Sequence, residues 1–147
     1  MLNPTEILEE KNVILDLEAK DREGVCSEIV SYLVSQHPTL KSDPILRLLL
    51  EREKASSTAV ENGVAFPHVR VSNLPGLLVV IARSRVGVDF GSLDKKPTHI
   101  FVVLLASEAP QYLRMLAKLS KALQKSTCRE CIMAAQNAHE IIKVLSN

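Results

Sequence analysis

The sequence contains no tryptophan, and its aromatic side chains are limited to three Phe and two Tyr among 147 residues. Such a small number cannot build the aromatic stacking platforms that bind single-stranded nucleic acids. The longest apolar runs, such as 100–106, are far too short to span a bilayer. No basic segment followed by an apolar stretch opens the chain. We therefore expect a cytoplasmic protein with no direct membrane insertion.

The charges nearly cancel, because 18 Lys and Arg residues stand against 17 Asp and Glu residues. The net charge of +1 gives no general attraction to nucleic acid, which we do not expect as a partner. Three cysteines are an odd number, which fits reduced thiols better than a disulfide framework. With 46% apolar residues the chain can bury a core, and its length suits one domain. We predict a single domain over residues 1–147.

Helices are predicted in the first third of the chain from capping residues and apolar spacing. Asn3 and Pro4 would open a short helix, and Asp21 would cap a second helix that runs to about residue 36. Ser42 or Asp43 would cap a third helix.

The C-terminal third shows the same signals. Leucines recur at helical spacing after Pro110, which predicts a long helix. The pairs Thr127 with Glu130 and Asn137 with Glu140 each repeat a capping pattern, so we predict two further helices.

The middle of the chain has the composition of a sheet. The apolar runs 77–82 and 100–106 have strand length and no alternation, which is typical of strands covered on both faces. Alternation at Val13, Leu15 and Leu17 predicts a half-buried strand near the N-terminus. We therefore predict an α/β fold in which a mixed β-sheet is flanked by helices on both faces.

The segment 62–70 contains the main candidate for chemistry. Pro67 has a fixed φ and no backbone donor, so His68 follows at a stiff strand exit where its ring is displayed. A neutral imidazole there is a nucleophile, and Arg70 would bring a delocalised cation close to it. A surface histidine beside a solvated arginine fits the same short pattern.

The stretch 53–68 resembles the active-site signature of the IIA phosphocarrier domains of the bacterial phosphotransferase system, in the fructose, mannitol and nitrogen-regulatory (type 2) class. The residues that carry the resemblance are Glu53, Val64, Ala65, Phe66, Pro67 and His68. The segments 48–58 and 86–105 extend it. The fold implied by the resemblance is a mixed sheet between helices, which agrees with the prediction from the residues.

The resemblance implies that His68 is the phosphorylated residue and that Arg52 and Arg70 balance the phosphate charge. Backbone donors near Asn62 and Gly63 are expected to bind phosphoryl oxygens. The implied donor is an HPr-type phosphocarrier, and the implied acceptor is a IIB-type protein or a regulatory target. The resemblance implies neither a metal nor a cofactor.

Four residues depart from the family pattern: Glu61, Phe66, Val69 and Tyr112. Val69 stands where Gly, Ala or Cys is usual, and we expect its bulk to hinder the approach of a partner. Tyr112 stands where many members have a second histidine, and its hydroxyl can donate a hydrogen bond but carries no positive charge. Glu61 would repel the phosphoryl group only if it faced the site.

Two functions remain open. The first is a IIA-like phosphotransferase, most like the nitrogen-regulatory branch, in which His68 passes the phosphoryl group on or holds it as a signal. The second is a regulatory module of the same fold that has lost transfer and acts through protein contacts. A basic stripe supports either a solvated helix face or a docking surface; its residues are Arg114, Lys118, Lys121 and Lys125.

Overall fold

A five-stranded mixed sheet lies at the centre of the structure, a computed structural model that describes residues 4–146 except for the side chain of Thr5. The strands are β1 (Val13–Ile14), β2 (Val64–Ala65), β3 (His68–Arg70), β4 (Leu78–Val88) and β5 (Thr98–Ala106). Strand β5 pairs antiparallel with β4 on one side and parallel with both β2 and β3 on the other. Strand β1 pairs parallel with β4 at the far edge. The predicted mixed sheet is confirmed.

Helices cover both faces of this sheet, as predicted. They are α1 (Pro4–Ile7), α2 (Arg22–Gln36), α3 (Ser42–Ala55), α4 (Ala109–Leu123), α5 (Ser126–Ala134) and α6 (Ala138–Leu145), with short 3-10 helices at Glu10–Asn12 and Glu61–Gly63. Helices α2 and α3 pack on one face in a first core, and α4, α5 and α6 pack on the other in a second core. In residues 4–146, no helix has the length and apolar character needed to cross a membrane.

Strand β5 shows why its sequence is apolar without alternation. Val103 and Leu105 belong to the core beneath α2 and α3, whereas Val102 and Leu104 belong to the core beneath α4 to α6. Successive side chains of a strand point to opposite faces, so a strand covered on both faces needs an apolar residue at every position.

Two of the predicted helix caps are confirmed. The Asp21 carboxylate accepts a hydrogen bond of 2.6 Å from the Gly24 backbone N–H at the start of α2. The Asn137 side chain accepts one of 3.0 Å from the Glu140 N–H at the start of α6. Each satisfies one of the backbone donors that a helix leaves unpaired in its first turn.

Two other predicted caps are wrong. Helix α3 begins after Lys41, and neither Ser42 nor Asp43 is its N-cap. Helix α5 begins at Ser126, so Thr127 lies inside it. The predicted cap at Asn3 lies outside the described residues.

A buried arginine in β4 connects this strand to the segment after β1 and to the C-terminal end of α5. The sequence pattern does not identify it. The guanidinium of Arg83 is inaccessible to solvent. Its Nη1 donates to the carbonyls of Ile132 and Ala135 at 2.9 and 2.6 Å, and its Nε donates to the Leu15 carbonyl at 2.9 Å. Asp16 lies 3.3 Å from its Nη2. The strand predicted over residues 13–17 ends at Ile14, and the carbonyl of the next residue, Leu15, accepts from the Arg83 side chain.

Candidate active site

The candidate site lies where the edge of the sheet is interrupted. Val64 pairs with Ile100 and His68 pairs with Leu104, so β2 and β3 follow β5 in one unbroken register. Pro67 separates the two strands because it has no N–H to donate, although its carbonyl still accepts from the Leu104 N–H at 2.9 Å. The break places the Phe66 carbonyl and the His68 side chain next to each other.

The ring of His68 is fixed by that carbonyl. Its Nδ1 lies 2.6 Å from the Phe66 carbonyl oxygen. A carbonyl can only accept, so Nδ1 carries the proton and donates it, and in the neutral ring the lone pair is on Nε2. The ring centre lies 5.4 Å from that of Tyr112, at an interplanar angle of 54°. His68 is half-buried, and the hydrogen bond to Phe66 fixes which ring nitrogen carries the proton.

A short hairpin leads into this strand. The Phe66 N–H donates to the Thr58 carbonyl at 3.1 Å, and the Val60 N–H donates to the Val64 carbonyl at 2.8 Å. The 3-10 turn Glu61–Gly63 connects the two arms. The hairpin therefore holds the residue whose carbonyl fixes His68.

Asn62 and Gly63 form the tip of this hairpin and do not line the site. Their φ angles of 68° and 77° are in the left-handed region that a tight turn requires. The Asn62 N–H donates to the Asp94 carboxylate at 3.3 Å. Val64 and His68 pair with β5 residues four positions apart, roughly 13 Å along a strand. Asn62 and Gly63 lie beyond Val64 in the turn, so the register places their backbone donors away from His68 along the sheet edge.

A buried carboxylate anchors the other arm of the hairpin. Glu53, in the last turn of α3, is 1% exposed. It accepts hydrogen bonds from the Thr58 N–H at 3.0 Å and from the Thr58 hydroxyl at 2.6 Å. In the sequence, Glu53 and the segment 48–58 that contains Thr58 stand out only through the family resemblance. The sequence feature that could have indicated this contact is a carboxylate followed, five residues later and beyond the helix end, by a hydroxyl group.

One of the two arginines lies in β3 and the other in the helix that packs against it. Arg52 lies in the last turn of α3, which packs against β3, and its Nη1 donates to the Ser56 carbonyl at 2.7 Å. The carbonyl end of a helix carries partial negative charge, so this contact also complements the helix dipole. Arg70 is exposed at the end of β3, and alternation places it on the same face as His68.

Val69 and Glu61 do not face the His68 ring. Val69 is 8% exposed and packs in the first core, on the face opposite the Tyr112 ring. Its bulk therefore lies inside the protein, and the expectation that it obstructs a partner is wrong. Glu61 is exposed in the hairpin turn, beyond Val64.

We expect Val69→Ala to lower the free energy of unfolding by about 2 kcal/mol, because it removes buried methyl groups and leaves a cavity. Reactions at His68 should be unaffected. Urea denaturation measures the loss. Val86→Ala is the matched control, because the same truncation at a side chain that is 77% exposed should change little. Equal stability of the two variants would contradict the placement of Val69.

The other histidines have structural partners. His37 Nε2 lies 2.8 Å from the Asn12 side-chain oxygen, and His139 lies 3.6 Å from Glu10. His99 Nδ1 donates to the Ser84 carbonyl at 2.9 Å. These contacts fix neighbouring segments to one another.

The C-x-x-C pair is split between core and solvent. Cys128 is buried, and burial raises the pKa of its thiol, while Cys131 is exposed. Within residues 4–146, no group of three or more His, Cys, Asp or Glu side chains could hold a metal ion.

Comparison with known proteins bears on the whole chain. Its sequence is 29% identical over 144 residues to the PTS system fructose-specific EIIABC component of Bacillus subtilis (strain 168), covering 97% of this chain and 23% of that protein. The chain thus spans about a quarter of that relative. The crystal structure of nitrogen regulatory protein IIA-Ntr from Neisseria meningitidis superposes with a TM-score of 0.87 at 29% identity, covering 95% of this chain and 97% of that one.

A third comparison shows the fold alone. It is the complex of enzyme IIAMTL and phosphorylated enzyme IIBMTL from Escherichia coli, with a TM-score of 0.79 at 20% identity over 94% of this chain and 96% of the matched one. The family model described as "Phosphoenolpyruvate-dependent sugar phosphotransferase system, EIIA 2" matches residues 6–147. The chain therefore belongs to the EIIA 2 family, whose domains are components of the phosphotransferase system.

Proposed function

We propose that this chain is a phosphotransferase of the IIA type that accepts a phosphoryl group on Nε2 of His68. The donor is an HPr-type phosphocarrier, and residues 1–147 act as one IIA-type domain. The observation that carries the proposal is the fixed tautomer of His68, in which Nδ1–H donates to the Phe66 carbonyl and Nε2 keeps its lone pair. A nucleophile held in one tautomer needs no rearrangement before attack.

The transfer balances without a proton relay. The P–N bond of the donor phosphohistidine breaks as a P–N bond to His68 Nε2 forms. A donor ring protonated on its other nitrogen leaves as neutral imidazole. His68 keeps its Nδ1 proton and acquires positive charge, which the Phe66 carbonyl stabilises through the existing 2.6 Å hydrogen bond.

Residues around the ring must balance the negative charge on the oxygens of the phosphoryl group during transfer. We assign this role to Arg52 and Arg70, whose guanidinium groups keep their charge and offer several donors. Tyr112 lies against His68 and offers its hydroxyl as a neutral donor. Leu113, which is 50% exposed beside Tyr112, offers an apolar contact to a docked partner.

The onward step is transfer to a IIB-type acceptor or use of the phosphoryl group as a signal. The mannitol neighbour was solved with a phosphorylated IIB partner, which supports the first route. The IIA-Ntr neighbour is a regulatory protein that matches this chain from end to end, which supports the second. The nitrogen-regulatory branch fits best, because that neighbour matches at 29% identity with a TM-score of 0.87, against 20% and 0.79 for the mannitol neighbour.

A regulatory module without transfer is the second candidate, and the basic stripe on α4 favours it. Arg114, Lys118 and Lys121 are exposed on the side of α4 opposite its buried residues, whereas Lys125 is exposed beyond the end of that helix, at the N-cap of α5. Like charges three and four positions apart repel, and an acidic partner would relieve that repulsion.

The test is incubation of the protein, with its histidines labelled with ¹⁵N, with a phosphorylated HPr-type carrier at neutral pH. We expect the mass increase of one phosphoryl group and NMR shifts that place it on Nε2 of His68. Acid treatment should remove it, as phosphoramidate bonds are acid-labile. Modification of Nδ1 would contradict the proposed tautomer, and no transfer from any HPr-type donor would favour the regulatory module.

A further inference from the structure

A chain of hydrogen bonds connects the His68 ring to a carboxylate that is buried inside the protein. The ring Nδ1–H donates to the Phe66 carbonyl, the Phe66 N–H donates to the Thr58 carbonyl, and the N–H and hydroxyl of Thr58 both donate to Glu53. Each link is between 2.6 and 3.1 Å long. The chain thus runs from helix α3 to the nucleophile.

Burial of the Glu53 carboxylate carries a desolvation penalty that other contacts must offset. The residue is 1% exposed, and none of the ion pairs found in residues 4–146 includes it. A buried carboxylate without a cation is tolerated only when hydrogen bonds replace its water shell. Thr58 donates to both of its oxygens, the only hydrogen bonds to Glu53 found among residues 4–146. The Glu53 charge also acts on Cys26, whose pKa is raised to about 12 by burial and by Glu53.

The consequence of this anchor reaches the ring through backbone geometry. Glu53 accepts hydrogen bonds from both the N–H and the hydroxyl of Thr58. These two bonds fix the orientation of Thr58, whose carbonyl accepts from the Phe66 N–H. Phe66 lies between β2 and β3 and precedes a proline. Its side chain is buried in the second core, and its backbone is held by the hydrogen bond to Thr58 and by the strand that follows Pro67. A carbonyl that turned away would leave the His68 ring free to exchange tautomers and to rotate.

We propose that Glu53 is a positioning residue for His68, acting through Thr58 and the Phe66 carbonyl to keep the proton on Nδ1 and the lone pair on Nε2. The role rests on the proposed function of His68 as phosphoacceptor. Glu53 contacts neither the ring nor the phosphoryl group. It fixes which nitrogen reacts and where it points.

The test compares Thr58→Val, which removes one of the two bonds to Glu53 at nearly constant shape, with Thr58→Ser, which keeps the hydroxyl. The first readout is the ¹⁵N NMR spectrum of the His68 imidazole. We expect one tautomer in the native protein and in Thr58→Ser, and a mixture in Thr58→Val. Glu53→Gln should act in the same direction, because an amide group cannot accept both bonds with both of its atoms.

The second readout is the kinetics of transfer from a phosphorylated HPr-type carrier. We expect Thr58→Val to lower kcat by about tenfold with little change in KM, because the ring is in the reactive geometry for less of the time. Ser57→Ala is the matched control, since its hydroxyl bonds the Phe90 carbonyl and the Ala59 N–H in the same loop. It should change neither the tautomer nor kcat.

A single, unchanged tautomer in Thr58→Val would overturn the proposal, even if the variant were less stable. If Glu53→Gln does not fold, the Thr58 pair decides alone. If the native protein accepts no phosphoryl group, the proposed function fails, while the NMR spectra still decide whether Glu53 and Thr58 position the ring.

Discussion

Replacing His68 with alanine is expected to abolish phosphorylation of this protein by an HPr-type donor. The other three histidines contact Asn12, Ser84 and Glu10 and not the proposed site, and the neutral Tyr112 hydroxyl is a far weaker nucleophile than imidazole, so the loss should exceed a factor of about a thousand. His68→Gln should be equally inactive, because the lone pair of an amide nitrogen is delocalised into its carbonyl group and is not nucleophilic. Mass spectrometry at neutral pH measures the phosphoryl group, and circular dichroism should show both variants to be folded, since His68 is only half-buried.

The informative control is His99→Gln. His99 has the same tautomer as His68, because its Nδ1 donates to the Ser84 carbonyl at 2.9 Å. Its Nε2 is covered, however: a Cβ placed on Gly87 would lie 2.9 Å from it, so that backbone packs against the ring edge. We therefore expect His99→Gln to keep full phosphorylation. Phosphorylation of His99 in the native protein would contradict this explanation, because His99 Nε2 is packed against the Gly87 backbone and should not react.

The location of the candidate nucleophile could be predicted because its determinants are local. Pro67 and His68 are adjacent, and a proline interrupts strand pairing wherever it stands. The predicted strand exit is instead a short break, since His68 begins β3 in the same register on β5. The contact between His68 and Tyr112 joins residues 44 positions apart. The sequence could suggest that pair only through the family resemblance, since no periodicity relates a strand to a distant helix.

The core was predictable for a similar reason, and the strand ends were not. Apolar runs without alternation identified β4 and β5, because burial on both faces leaves no position for a polar residue. Strand β4 continues beyond its apolar run to Val88 through an irregularity after Arg83. In the sequence, Arg83 is a charged residue directly after an apolar run, where a strand would be expected to end. Its burial is possible because three backbone carbonyls accept hydrogen bonds from its guanidinium group.

The interior of the site was the least predictable part. Glu53 belongs to a charged stretch at the end of α3, where carboxylates usually face solvent. Its burial follows from the position of Thr58 after the helix end, which depends on the hairpin closing against Phe66. The resemblance implies that backbone donors at the tip of that hairpin, Asn62 and Gly63, bind phosphoryl oxygens. The structure gives these two residues the positive φ angles of a tight turn, which no local sequence pattern distinguished from a phosphate-binding loop.

Arg52→Gln is expected to slow phosphoryl transfer to His68 by a factor on the order of ten to a thousand, because it removes a charged donor to oxygens that gain charge in the transition state. Its Nη1 also holds the Ser56 carbonyl, so the free energy of unfolding should fall by about 0.5 to 1 kcal/mol. Arg52→Lys should recover the stability more fully than the rate, since a lysine keeps the charge and loses the planar fork. Single-turnover kinetics and urea denaturation measure the two effects.

Arg47→Gln separates the role of Arg52 from a general effect of charge, because Arg47 is an exposed arginine on the same helix, five residues earlier. Removing it changes the net charge by the same amount, so long-range attraction of the donor weakens equally in both variants. If Arg52 acts at the reacting group, only Arg52→Gln loses rate at high salt, where long-range attraction is screened. Arg70→Gln should fall between the two, because Arg70 is exposed and shares the His68 face of β3. Equal rates in Arg47→Gln and Arg52→Gln at high salt would make Arg52 a helix cap alone and leave Arg70 and the Tyr112 hydroxyl to balance the phosphoryl charge.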